Sequence, residues 1–352
     1  MEIPDGEATM RAIGGRSRRD ALKRIAFAAG GATLFASAGT AAKVRSGSRR
    51  SITDLRQALG GVHNFMITPF RPNYDLDAEG LRKNVAYHAA GTTENMTIVV
   101  GGGLGELFSL DLKEHKAMVT AAVEAARGRM PVVAGAGGGY RLALRMARTA
   151  EETGADALLL FSPPYGSESA EGAYQYFRAV ASSVRIGIIA FPHGKDDFWP
   201  DVLRRLVSVP NVIGFKNGGM ELGRSLGSLV PDRLLWVAEG EKPALDAFPA
   251  GARAFSSPVA AFVPEACLEF WKRGVAGDQQ GMREVLRTRI EPILQVRSVK
   301  PHYGISGLKV ALEALGRAGG PVRPPGTQVL SEDRAAIGEI ARKHSETALI
   351  SR

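Results

Sequence analysis

Val62-His63-Asn64-Phe65-Met66-Ile67-Thr68, a stretch with helical spacing at 78–90, and Met96-Thr97-Ile98-Val99-Val100-Gly101 follow one another along the chain. Short apolar runs rich in β-branched residues read as buried strands, and the longer amphipathic stretch between them reads as a helix. The same succession then recurs. Further strands are predicted at 131–135, 157–161, 186–191, 212–216, 234–238 and 252–255, with helices at 113–127, 141–153, 170–183, 200–207, 221–229 and 242–248. Eight strand–helix units in little more than 200 residues predict an α/β chain folded as a parallel (β/α)8 TIM barrel, because doubly wound open sheets commonly have fewer strands. The barrel is expected over 61–275.

Three more helical stretches, 279–295, 306–317 and 331–345, follow the last unit and predict a C-terminal helical extension over 276–352. Gly319-Gly320-Pro321-Val322-Arg323-Pro324-Pro325-Gly326 must cross between two of them as extended, turn-rich chain, since proline bars helix.

The 352 residues are 45% hydrophobic and 23% charged, enough to bury a large core and unlike a disordered tail. The formal charge is +9, yet much of the excess sits in Lys43, Arg45, Arg49 and Arg50, and no basic run interleaved with aromatics follows. No nucleic-acid partner is expected. Cys267 is the single cysteine, so the chain has no internal disulfide and no multi-cysteine zinc site. Packing alone must hold the fold.

Ser17-Arg18-Arg19-Asp20-Ala21-Leu22-Lys23 precedes a mildly apolar, Gly/Ala-rich stretch at 25–38 and the small residues Ala36-Ser37-Ala38 and Thr40-Ala41-Ala42. Residues 1–42 thus resemble a twin-arginine-type export signal, with 43–60 as a linker. The apolar stretch has 14 residues, where a bilayer span takes about 20, so no stable membrane span is expected. The expectation is a periplasmic or otherwise exported protein whose mature chain begins near residue 39 or 43.

In a β/α barrel the residues that close each strand line the active site. Strand two ends in Gly101-Gly102-Gly103-Leu104-Gly105-Glu106, where backbone amides either face an anion or form a tight turn without a ligand. Neither this run nor the glycines at 135 and 137–139 has the dinucleotide spacing or a phosphate-loop lysine. Strand six ends in Gly214-Phe215-Lys216-Asn217-Gly218. A lysine at the mouth of an apolar barrel loses solvation, and its neutral amine attacks a ketone to form an imine; the alternative is a solvated loop lysine.

Taken together, Phe65-Met66-Ile67-Thr68-Pro69-Phe70, Gly102-Gly103-Leu104-Gly105-Glu106, Gly154-Ala155-Asp156-Ala157, Pro163-Pro164-Tyr165 and Asn211-Val212-Ile213-Gly214-Phe215-Lys216 resemble the dihydrodipicolinate synthase and N-acetylneuraminate lyase superfamily in order and spacing. Phe255-Ser256-Ser257, Phe262-Val263-Pro264-Glu265 and Gly320-Pro321-Val322-Arg323-Pro324-Pro325 are similar to its 5-dehydro-4-deoxyglucarate dehydratase branch. The resemblance spans about 60–340. It implies Schiff-base chemistry on a small-molecule 2-keto acid, a covalent imine on Lys216 with no metal or organic cofactor, a carboxylate-binding turn at Gly102 and Gly103, and a homo-oligomer, tetramer or dimer.

Two positions depart from the family. Leu104 stands where the turn normally carries a threonine, and Phe191 stands where strand five normally ends in a tyrosine. Those hydroxyls relay protons, and losing one positioned proton-transfer group costs ~10²- to 10⁴-fold in rate. His193 lies two residues past Phe191 and is a candidate acid or base, or else a loop histidine beside Gly194-Lys195-Asp196-Asp197. Glu239 ends strand seven and is a second candidate for the substitute acid or base, although in Glu239-Gly240-Glu241-Lys242 it reads first as a solvated loop carboxylate. Ser256 and Ser257 are candidates to bind a polyhydroxy substrate, or N-caps of the following helix. Two functions follow from these residues: an exported lyase of aldolase or dehydratase type, or a catalytically degenerate keto-acid-binding protein on the same barrel.

Overall fold

A computed structural model describes residues 50–91, 94–163, 169–192, 197–217, 219–227 and 229–346. Arg18, Arg19, Pro164, Tyr165 and His193 lie outside the described residues. Eight parallel strands close into a barrel in sequence order: β1 Gly61–Phe65, β2 Met96–Val100, β3 Val132–Ala136, β4 Ala157–Phe161, β5 Gly187–Phe191, β6 Val212–Asn217, β7 Leu235–Ala238 and β8 Ala254–Ser257. The ladder closes where β8 meets β1, with Gly61 opposite Ala254 and Asn64 opposite Ser257. The chain is therefore a TIM barrel with C-terminal helices.

Strand residues alternate between the interior and the helical shell. On the outer face Phe215 stacks on Trp236 and Phe255 meets Phe248 and Phe270 edge-on. The inner set therefore includes His63 and Phe65 of β1, Phe161 of β4, Phe191 of β5, Lys216 of β6 and Ser256 of β8. Both faces are covered, so nearly every strand residue is buried, which is why the strands read as continuous apolar runs.

The predicted elements occur, most of them with shifted ends. β8 starts and stops two residues later than the run at 252–255, so Ser256 and Ser257 belong to the strand itself. The helix expected at 221–229 is Met220–Ser225 followed by a short turn at Leu229–Asp232, where Val230 is extended (φ −116°, ψ 125°) because a residue before proline is driven out of the helical region. The stretch at 279–295 is likewise divided. Helix Gln279–Val285 passes into a π-helical turn at Leu286–Ile290 ahead of Pro292, which has no N–H to continue the helical ladder.

Two helices have no counterpart in the predicted set. Pro264–Val275 completes the eighth unit. Ile52–Ala58 lies within the stretch expected to be a linker, capped by Ser51, whose hydroxyl accepts from the Asp54 amide. This helix closes the floor of the barrel: Leu55 and Leu59 are buried, and a Cβ on Gly187 of β5 would lie 2.9 Å from Leu55 Cδ2. No described helix is long and apolar enough to cross a membrane.

Leu55→Ala should lower the unfolding free energy by about 2–5 kcal/mol, the usual range for deleting a buried leucine side chain, as read by urea denaturation. A loss below ~0.5 kcal/mol would mean that the floor helix is not part of the cooperative core.

Candidate active site

Lys216 ends the inner face of β6, and only 4% of it is exposed. Its Nζ lies 3.9 Å from the centroid of the Phe191 ring and 5.6 Å from that of Phe65, so aromatic faces replace most of the water an ammonium would hold. Nζ donates to Glu239 Oε1 at 2.7 Å. The register of β6 and β7 explains this pairing, because Lys216 lies opposite Val237 and the chain reaches Glu239 two residues later on the same face. Burial pushes the Lys216 amine below the ordinary lysine range, and the Glu239 charge and hydrogen bond oppose that shift. Glu239 is not a merely solvated loop carboxylate. Its side chain is 48% exposed, yet one oxygen is committed to the lysine.

Deeper in the barrel, His63 joins Nε2 to the Leu59 carbonyl at 2.8 Å. Since that carbonyl only accepts, Nε2 carries the proton. Burial, opposed by this bond and reinforced by the charge of Lys216, holds the ring down to about 4, so it is neutral at pH 7. The sequence reading passed over His63, whose only signal is a titratable residue in the middle of an apolar run.

The glycine turn sits beside the lysine across a shared wall. A Cβ on Gly102 would lie 2.7 Å from Phe65 Cδ1, and Phe65 is the ring that also faces Nζ. Gly101 is left-handed (φ 63°), and a Cβ on Gly135 of β3 would come within 1.7 Å of the Gly101 carbonyl, so both positions demand glycine. Within the turn, Gly105 N donates to Gly102 O and Glu106 N to Gly103 O. Among the described residues the amides of Gly102 and Gly103 have no backbone acceptor, which leaves them able to receive an anion. Gly103 is open to solvent and Leu104 is half-buried. Phe161 meets Phe191 edge-on at 5.0 Å and extends the aromatic wall.

The last residue of the turn is tied to the C-terminal extension. Glu106 Oε1 pairs with Lys309 Nζ at 2.6 Å, and Oε2 accepts from the Arg323 amide at 2.9 Å. Lys309 is 0% exposed, donates also to the Pro321 carbonyl at 2.6 Å, and lies 4.3 Å from the Phe70 ring centroid. Arg323 clamps Glu114 and the Tyr74 carbonyl. The sequence signal was present in Leu308-Lys309-Val310-Ala311-Leu312, where a lone charge in an apolar helix requires a partner.

The two serines separate. Ser256 faces inward and donates to the carbonyl of Ala238, next to Glu239. Ser257, expected at the substrate, points into the helical shell, where its hydroxyl donates to Glu241 at 2.6 Å and accepts from the amides of Val259 and Ala260. Strand parity is the reason: neighbours on one strand cannot both face the mouth. No group of three or more His, Cys, Asp or Glu side chains suited to a metal occurs among the described residues.

Comparison with known proteins matches residues 58–344 to the dihydrodipicolinate synthetase family. The chain belongs to that family. A relative from Bradyrhizobium diazoefficiens named "probable 5-dehydro-4-deoxyglucarate dehydratase" is 33% identical over 307 residues, covering 84% of this chain and 96% of its own. One of the same name from Streptomyces avermitilis is 35% identical, covering 79% and 85%. Among solved structures, the dihydrodipicolinate synthase of Acinetobacter baumannii, crystallised with pyruvate, is 26% identical with a TM-score of 0.70, covering 81% of this chain and 99% of that one.

Breaking the buried pair behind the turn should be costly. Lys309→Met would strand the Glu106 carboxylate and destabilise the fold by about 3–5 kcal/mol in urea unfolding. Adding Glu106→Gln to that variant should cost less than the two single changes summed, whereas a simple sum would mean that the groups act independently.

Proposed function

We propose that this family member is a Schiff-base lyase of the aldolase or dehydratase type acting on a 2-keto acid, with a keto-deoxy sugar acid as the preferred class. The observation that carries the reading is the Lys216 amine, desolvated among Phe65, Phe191 and the barrel wall. A lowered amine pKa leaves more of the neutral nucleophile at working pH, and the imine it forms withdraws electrons from the adjacent carbon. The free amides of Gly102 and Gly103 are suited to the substrate carboxylate, and Ser256 to a hydroxyl further along the chain. The dehydratase names of the relatives and the pyruvate held by the Acinetobacter enzyme support the substrate class. No external cofactor enters this chemistry, and assembly into a dimer or tetramer belongs to the same proposal on family grounds.

A second reading, a keto-acid-binding protein with little turnover, is favoured by one feature. Leu104 and Phe191 bring no hydroxyl to the mouth, and the Phe191 ring covers Nζ.

Borohydride reduction in the presence of pyruvate should leave an adduct on Lys216, found by mass measurement of the peptide, and Lys216→Ala should leave none. A wild-type protein unmodified with pyruvate and with keto-deoxy sugar acids refutes the imine; an adduct without turnover of any of them selects the binding protein. The paired Arg18 and Arg19 ahead of the apolar stretch also lead us to propose export. N-terminal sequencing from a native-like host should find the chain beginning near residue 39 or 43, and an Arg18→Lys, Arg19→Lys variant should stay unprocessed in the cytosol.

A further inference from the structure

We infer that Glu239 is a catalytic residue, the proton shuttle that serves Lys216 as the imine forms. The inference rests on the Lys216 reading above and deepens it. Three observations carry it. Glu239 Oε1 is 2.7 Å from Nζ, in direct contact with the reacting atom. Among the described residues, the other groups set against the amine are unsuited to proton transfer: Phe65 and Phe191 are hydrocarbon rings, and His63 is bonded through Nε2 to Leu59 on the floor side. Finally, the Glu239 side chain is half exposed while Lys216 is not, so this carboxylate bridges the buried amine and the solvent-facing mouth where a substrate carbonyl arrives.

The proton count closes without any other group. Glu239 takes one proton from the ammonium, and the neutral amine adds to the ketone carbon while the carbonyl oxygen collects a second nitrogen proton to become a hydroxyl. Glu239 then returns its proton to that hydroxyl, the C–O bond breaks, and water leaves. An ammonium, a carboxylate and a ketone have become an iminium, a carboxylate and one water, with net charge unchanged. The restored carboxylate lies against the iminium, placed to accept the proton of the adjacent carbon.

A counter-ion without a shuttle role predicts the opposite sign, which makes the test sharp. Removing the negative charge would lower the Lys216 amine further, enlarge its neutral fraction and speed attack at neutral pH. A lost shuttle slows it. Wild type, Glu239→Gln and Glu239→Asp are mixed with pyruvate at pH 7, quenched with borohydride at successive times, and the Lys216 adduct is counted by mass, with thermal melts confirming that each variant is folded. Glu239→Gln should form adduct about 10²-fold more slowly, the usual size of a positioned acid–base group, and Glu239→Asp should recover part of the rate because it keeps a carboxylate. A Gln variant as fast as wild type or faster, or Gln and Asp variants equal to each other, overturns the inference while leaving the imine intact. A wild type that forms no adduct strikes the underlying reading instead.

Discussion

Hydrogen bonding between β8 and β1 closes the sheet, and closure removes both its edges and its wet faces. An inward side chain then meets only other side chains, so a polar group there must be paired, discharged or placed at the rim. The described residues follow each of these outcomes. His63 on the inner face is neutral, Ser256 spends its hydroxyl on a neighbouring carbonyl, and Lys216 stands at the rim with a carboxylate. The desolvation of the lysine thus follows from the barrel. An amine on the same strand but on the outer face would take the place of Phe215, packed flat against Trp236.

The C-terminal helices belong to the site as much as the strands do. The carboxylate of Glu106 leaves the glycine turn and enters the extension, where Lys309 and the Arg323 amide hold it. Burying two charges is expensive, and a well-packed apolar pair of similar volume is often no less stable. What an ion pair adds is direction. Glu106 is left-handed (φ 52°) at the end of the glycine turn, and a two-point hold on its carboxylate fixes that backbone more narrowly than apolar packing does.

Much of this was legible in the sequence because the barrel repeats one unit eight times. Continuous apolar runs identified all eight strands, and the helical spacing gave 78–90 with the bounds the structure has. Isolated features were not legible. Helix Ile52–Ala58 has one short turn of apolar residues and no repeat to belong to, and the breaks at Pro231 and Pro292 lie inside segments whose composition is otherwise helical. The place of Lys216 at the barrel mouth was readable because position at a strand end suffices. Glu239 was readable as a candidate acid or base, but its pairing with Lys216 was not, since it reaches the amine only through the register that sets Lys216 opposite Val237. The orientation of Ser257 was hidden for a related reason: with the end of β8 placed two residues early, nothing showed that one of the two serines had to face outward.

The aromatic ring over the amine bears on how protons move. A cation 3.9 Å from the Phe191 centroid gains from the ring's quadrupole, by roughly 0.5–2 kcal/mol depending on desolvation. The resting ammonium and the iminium of the proposed reaction are both cations at that nitrogen, so the ring favours both and changes the balance between them little. It disfavours only the neutral amine that lies between. A hydroxyl in that place would have carried the proton through the neutral stage; a phenyl ring cannot, and it raises the cost of that stage as well. The demand therefore falls on whichever group can take the proton while remaining bonded to the nitrogen. At 2.7 Å, and with its second oxygen left for the mouth, Glu239 meets both conditions.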